Sequence, residues 1–345
     1  MYLMGQVITA LRNKGNDISP DDELSAQNAI LLHDIGHGPF SHSLENTILE
    51  GISHEKISKV YMEGLNKTFH GQLSNSIDIF NGTYPVKFLH QLVSSQLDVD
   101  RMDYLKRDSF YTGVSEGVIN TERIIKMLSI VNGKLAVEVK GIYSIEKYII
   151  ARRLMYWQVY LHKTVISAEK MLNQILKRAR FLKKNGDQLF TTPALAYFLE
   201  NSFSIDDIQS NSDILDRFTE LDDFDILTSI KVWCNHKDPV LSLLSKALIN
   251  RHLFRTILFS NKPSDAFIES ISDEIKKKTG FNKEDCKYLI SFDSTANYAY
   301  HPRSDKINIL YKDGKVADIM KASEQLNISV LQKNITKYFV CFPKW

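Results

Sequence analysis

The sequence predicts a mainly α-helical protein, with a helical core that carries a β-hairpin insertion and a smaller α+β region behind it. Three observations support this. Apolar residues recur at helical spacing through the first 125 residues, residues 142–182 hold neither Pro nor Gly, and roughly the last 60 residues break into short β-prone runs. In order, Leu3, Val7, Ile8 and Leu11 line one helical face, and Asn13-Lys14-Gly15-Asn16 ends that helix. Asp21 or Asp22 can cap a second helix through Leu24, Ile30, Leu31 and Leu32. Ser129 to Val131, then Asn132-Gly133, then Leu135, Val137 and Val139 read as a hairpin with a two-residue turn. Residues 142–182 form one or two long helices, with further helices expected over 214–234 and 239–258. Residues 306–311, 316–318 and 338–342 read as strands around a short helix, with a turn at Asp313-Gly314. The change of character puts a soft boundary near residue 185, separating a domain of residues 1–185 from a region of residues 186–345.

The 345 residues carry 43 Lys and Arg against 41 Asp and Glu, a net charge of +2, so no strong nucleic-acid signal arises and an anionic ligand must be drawn by local clustering. Hydrophobic residues make up 43% and charged residues 24%, an ordinary globular mixture without a run long enough to span a membrane. Cys234, Cys286 and Cys341 are widely separated, so neither a zinc knuckle nor a disulfide framework is indicated and a cytoplasmic location is expected.

Chemistry concentrates in the run His33-Asp34-Ile35-Gly36-His37-Gly38-Pro39-Phe40-Ser41-His42. An adjacent His33-Asp34 pair at a helix end can offer an imidazole nitrogen and a carboxylate oxygen to one divalent ion. Gly36, Gly38 and Pro39 break the helix and turn the chain sharply. Glu45 lies one helical turn beyond His42 and can orient it, and His54 opens the next helix behind Ser53. A single buried histidine is ordinarily a core residue. Four histidines and Asp34 within 22 residues, out of ten histidines in all, point to a site.

A second segment, from Gln96 to Asp108, places Asp100, Tyr104 and Asp108 on one helical face with Arg101 alongside. Asp100 can add a metal carboxylate, Tyr104 a ring and Asp108 an acceptor for a hydroxyl. Taken alone, the segment also reads as a solvated helix with ordinary surface ion pairs. In a third segment, Arg152, Tyr156, Tyr160 and Lys163 follow helical spacing and join two cations to two rings, as a nucleotide requires, although rings on a long helix more often pack.

These three segments together resemble the HD-domain superfamily, and within it the deoxynucleotide triphosphohydrolases, over residues 2–185. The resemblance implies His33, Asp34 and Asp100 as ligands of a divalent ion, with Mg, Mn, Fe, Ni and Zn all open. It implies that His37, His54 and Arg101 face a triphosphate, that His42 with Glu45 serves proton transfer, and that Arg152 approaches the phosphates. Tyr104, Asp108 and Tyr160 would surround the deoxyribose. The implied reaction is hydrolysis of deoxynucleoside triphosphates (dNTPs) to deoxynucleoside and triphosphate by a homo-oligomer. The family's first metal histidine stands in an Arg-x-x-His-Ser-Leu-Gly phrase just upstream of a helix like residues 2–13. The chain begins inside that helix, so the expectation is an N-terminally incomplete site of low activity, either because the start lies upstream or because the chain is a shortened paralogue. A phosphohydrolase for another nucleotide and a non-catalytic dNTP-binding subunit stay open beside it.

Overall fold

A computed structural model describes residues 1–297, 300, 306–323 and 335–344 and is mainly α-helical. The chain divides into two compact units of interleaved segments. The first comprises Met1–Asp34, Tyr61–Tyr160 and Ala296–Ile335, and the second Ile35–Val60, Leu161–Thr295 and Thr336–Trp345. Residue 185, where the composition shifts, lies inside the second unit.

In the first unit, helix Tyr2–Arg12 buries Met4, Val7, Ile8 and Leu11, the stripe expected from their spacing. Gly15, with a φ of 84°, follows the helix end. The next helix, Pro20–Leu32, is capped by Ser19 rather than by Asp21 or Asp22. The Ser19 hydroxyl accepts the Asp22 N–H at 3.0 Å, and the Asp22 carboxylate accepts the Ser19 N–H at 3.2 Å. Pro20 can begin the helix because its missing N–H would have no helical partner there. The hairpin forms as expected. Strands Leu128–Val131 and Lys134–Glu138 pair antiparallel, and Asn132 and Gly133 take the left-handed conformation (φ 50° and 72°) that a two-residue turn needs. Its second strand, Lys134–Glu138, also pairs in parallel with Asn308–Leu310, which pairs in turn with Val316–Asp318, completing a four-stranded sheet.

Helix Val99–Thr112 buries Val99, Met102, Leu105 and Ser109 and ends at Gly113 (φ 72°). Helix Ile142–Met155 is buried on most of its circumference, with Tyr148 at its centre donating its hydroxyl to the Gln96 carbonyl at 2.9 Å. A Cβ at Gly117 would lie 2.3 Å from Met155 Sδ and 2.8 Å from Ser109 Cβ, so only glycine lets this loop come so close.

In the second unit, helix Lys163–Lys184 buries Ile166, Met171, Leu172, Ile175, Leu176, Ala179 and Leu182. Arg178 on this helix pairs with Asp238 at 2.6 Å and Asp285 at 2.9 Å, and helices Asp223–Trp233 and Pro239–Ile249 also belong to this unit. The helix expected to reach residue 258 stops at Ile249. Arg251 is left-handed (φ 58°), and Arg255–Phe259 forms a strand paired antiparallel with Tyr338 to Phe342. The β-branched and aromatic residues Thr256, Ile257 and Phe259 favour a strand once that distant partner is present. All three cysteines are free, and no helix among the described residues is long and apolar enough to cross a membrane.

Candidate active site

Each compact unit carries one group of the side chains singled out in the sequence. In the first, His33 caps the C-terminal end of helix Pro20–Leu32. Its Nδ1 lies 2.8 Å from the Ile30 carbonyl, which can only accept, so Nδ1 holds the proton and Nε2 the lone pair. That Nε2 is buried and has no hydrogen-bond partner among the described residues, while Asp34 Oδ2 lies 3.4 Å and Asp100 Oδ1 3.7 Å away. Burial by itself would lower the imidazole pKa, but the two carboxylates outweigh it and the net shift is upward.

An orphaned imidazole lone pair facing two carboxylate oxygens, all within 4.8 Å of one another, fits a divalent ion. Metal–ligand distances of about 2.0–2.2 Å would let one ion replace three poor mutual contacts with three good ones. The tautomer is already set by the Ile30 carbonyl, as metal-binding histidines require.

Asp100 stands in the first turn of helix Val99–Thr112, and the start of that helix is held by a residue the sequence reading missed. Asp98 is 1% exposed. Its carboxylate accepts the Arg101 N–H at 2.8 Å and the Ser95 N–H at 3.0 Å, and it also pairs with the Arg101 guanidinium. The same guanidinium donates to the Ser95 carbonyl. An Asp immediately before a helix is a recognisable capping signal, but its burial and its hold on Arg101 depend on tertiary packing.

Along that helix, Tyr104 and Asp108 follow Asp100 on one face, while Asp103 and Arg107 form a surface ion pair at 2.7 Å. The surface ion pair expected of a solvated helix is therefore present, on a different side from Asp100, Tyr104 and Asp108. Tyr160 donates to Asp108 at 2.5 Å, and its ring meets Tyr104 edge-on at 6.0 Å and Tyr156 at 5.3 Å. Arg152 lies 5.9 Å from the Tyr156 ring centre, with a buried Nε that has no hydrogen-bond partner among the described residues. Burial and the bond to Asp108 raise the Tyr160 pKa, keeping the phenol a donor.

Lys163 does not continue this stripe. Helix Ile142–Met155 passes into a wider π-helical turn over Tyr156–Tyr160, the helix is interrupted at residues 161–162, and Lys163 begins the next helix, exposed and in the second unit. A π turn rotates the residues after it out of the 3.6-residue phase on which the spacing argument rested.

In the second unit, Gly36 to His42 form a tight loop. A Cβ at Gly36 would stand 2.3 Å from both the His54 carbonyl and the Ser58 nitrogen, and the Gly36 N–H donates to the Ser58 hydroxyl at 2.9 Å. A Cβ at Gly38 would meet the Phe218 ring at 2.7 Å. Phe40 and Ser41 are both left-handed (φ 54° and 50°), strain that the surrounding contacts must hold.

The loop brings three rings together. His37 stacks on His54 at 3.9 Å, and His42 stands edge-on to them at 4.7 and 5.0 Å. Glu45 serves two of these rings rather than the one its spacing suggested. Its Oε1 is 2.9 Å from His54 Nδ1 and 2.6 Å from the His54 N–H, and its Oε2 is 3.3 Å from His42 Nδ1. Burial would raise the Glu45 carboxyl pKa, but the His54 amide and the two imidazoles overcome this and hold it below the usual range.

Residues 4–108 match the HD domain family and residues 119–189 the HD associated region. A crystal structure of a phosphohydrolase from Bacteroides thetaiotaomicron matches with a TM-score of 0.95 at 50% identity, covering 99% of this chain and 85% of that one. The uncharacterized protein YwfO of Bacillus subtilis is 32% identical over 92% of this chain and 72% of its own length. A deoxynucleoside triphosphate triphosphohydrolase SAMHD1 homologue of Dictyostelium discoideum is 28% identical over 50% of this chain and 37% of its own length.

Proposed function

This chain belongs to the HD-domain phosphohydrolase superfamily, and from that premise we propose that it hydrolyses dNTPs to deoxynucleoside and triphosphate. The observation that carries the reading is the His33 Nε2, without a hydrogen-bond partner among the described residues, facing Asp34 and Asp100. These three residues would hold the divalent ion, which would supply positive charge against the attacked phosphate and help prepare the water. Arg101 and Arg152 offset the charge of the triphosphate. His42, steadied by Glu45, moves the proton.

The choice of a deoxynucleoside rests on Asp108 and Tyr160, whose mutual hydrogen bond at 2.5 Å presents a carboxylate beside three rings. Asp108 accepts the sugar hydroxyl while Tyr104, Tyr156 and Tyr160 bound the sugar and base. The likeness to dNTP triphosphohydrolases of the SAMHD1 type supports the same substrate class. The enzyme works as a homo-oligomer, a reading supported by the exposed ring pair of Phe110 and Tyr111, 79% and 78% accessible.

The test is the product released from each dNTP by protein loaded with Mn2+ or Mg2+, separated by anion exchange. Intact triphosphate is expected, and Asp34→Ala should lose both activity and the retained ion. Release of pyrophosphate or phosphate instead would overturn the reaction. Metal binding without turnover of any dNTP would leave the chain a nucleotide-binding subunit.

A further inference from the structure

We infer that two copies of this chain associate by seating Phe224 of one copy in a basic-rimmed apolar groove of the other, with the carboxylates around Phe224 facing the cations around the groove. The inference rests on the homo-oligomeric reading above, whose contact it names, and is independent of the hydrolytic one.

The groove lies in the second unit and has a volume of about 470 Å3, within the range of ordinary binding pockets. Leu243, Phe254 and Pro343 contribute an apolar floor, and Lys246, His252 and Lys344 stand along it. From Pro239 to Arg255 the chain holds no Asp or Glu. Its Lys246, Arg251 and Arg255 are exposed, as is Lys344, and none of the four has an ion pair among the described residues. The whole chain carries only +2, so this surplus is local rather than a share of a general positive charge.

The complementary surface belongs to the same unit. Between Ser204 and Asp225 stand eight Asp and Glu against the single Arg217. Within that stretch Phe224 is 76% exposed, a large ring set among Asp222, Asp223 and Asp225. Its backbone is fixed. The Asp222 carboxylate accepts the Phe224 N–H at 2.7 Å and the Asp225 N–H at 3.2 Å, and the Asp225 carboxylate accepts the Asp222 N–H at 2.7 Å. Asp223 accepts the Phe40 N–H at 2.8 Å. A ring presented on a fixed backbone loses little freedom on docking, which suits an aromatic anchor. An apolar ring framed by carboxylates matches an apolar floor framed by cations. A second copy is the occupant because this chain supplies both halves, and its small net charge leaves little repulsion between copies.

The test follows self-association of the full chain by sedimentation velocity. Raising salt from about 0.05 M to about 0.5 M should weaken association by about 10-fold or more, because exposed charges are screened. Phe224→Ala should weaken it by about 30-fold or more, the scale of a buried aromatic anchor. Lys246→Glu combined with Lys344→Glu should do the same by reversing the charge beside the groove. Mixing that double variant with Phe224→Ala should restore a complex of one copy of each, since the first still offers the ring and the second the groove. Carbodiimide crosslinking of mixed isotope-labelled and unlabelled parent, which needs no variant, should join Lys246 or Lys344 to Asp222, Asp223 or Asp225 of the other copy. An oligomer that neither variant weakens, or crosslinks confined to other residues, would overturn this contact and leave the homo-oligomer standing. Variants that dissociate alone and stay apart when mixed would overturn it as well. A parent that is monomeric throughout would overturn both readings and leave the groove to an acidic segment of another protein.

Discussion

Replacing Asp98 with alanine should loosen the start of the helix that presents Asp100, although Asp98 itself is buried too deeply to touch a ligand. Three interactions vanish together: the cap on the Arg101 N–H, the acceptor for the Ser95 N–H, and the partner of the Arg101 guanidinium. Loss of a helix cap costs about 1 kcal/mol, and an orphaned backbone donor about another 1 kcal/mol. The Arg101 side chain is 30% exposed and can recover water, so the 3–5 kcal/mol typical of breaking a fully buried pair shrinks to about 1–2 kcal/mol. The total is about 3–4 kcal/mol. Asp98→Asn keeps a capping oxygen and should cost about half as much. Native-state hydrogen exchange of the amides in Val99–Thr112 reads this locally, without requiring the two units to unfold together. Mn2+ binding should weaken by about 10- to 100-fold in the alanine variant, the usual effect of removing a group that orients a ligand. Exchange protection that changes by less than about 1 kcal/mol would refute the assignment of Asp98 as the anchor of this helix.

Three further expectations follow from the same geometry. Gly36→Ala pushes a methyl to 2.3 Å from two backbone atoms that cannot swing away, so it should destabilise by about 1–3 kcal/mol or more; an unchanged melting temperature would show that the loop can open. Asp108→Ala removes the acceptor of Tyr160 and, on the proposed function, of the sugar hydroxyl. It should raise KM for dGTP and dATP by about 10- to 100-fold, the scale of 1.5–3 kcal/mol for a charged hydrogen bond, while metal content stays unchanged. At Asp238 burial raises the carboxyl pKa, but two hydrogen bonds from Arg178 and one from the Leu241 N–H more than offset this and leave it lowered. A lowered folded-state pKa adds stability that is complete above the ordinary carboxylate value of about 3.9 and fades as pH falls through the folded value. The gap in melting temperature between parent and Asp238→Asn, which keeps the cap, should therefore be largest near neutral pH and close below pH of about 4; a constant gap would remove Asp238 from the acid response.

What could be read along the chain depended on interactions within a few residues. The stripe of Met4, Val7, Ile8 and Leu11, the Asn132-Gly133 turn, and the placing of His33 at a helix end each follow from local geometry. The His33, Asp34 and Asp100 grouping was legible because the three residues stand in dense, recognisable segments, and packing then left the His33 lone pair without a hydrogen-bond partner among the described residues. Other features needed the tertiary structure. Lys163 left its expected stripe because a π turn shifts the phase, and nothing in the residue types of Tyr156–Tyr160 announces that turn. The hairpin's second strand found Asn308, whose side chain bonds the Leu135 carbonyl 173 residues away, and Arg255–Phe259 became a strand only against Tyr338 to Phe342. Glu45 came to hold two histidines, and Asp98 to hold Arg101, because burial took those carboxylates away from water. A periodic face is set by the backbone's own repeat, whereas a strand partner or a buried charge is chosen by the sum of contacts with residues far away in the chain, which no window of sequence contains.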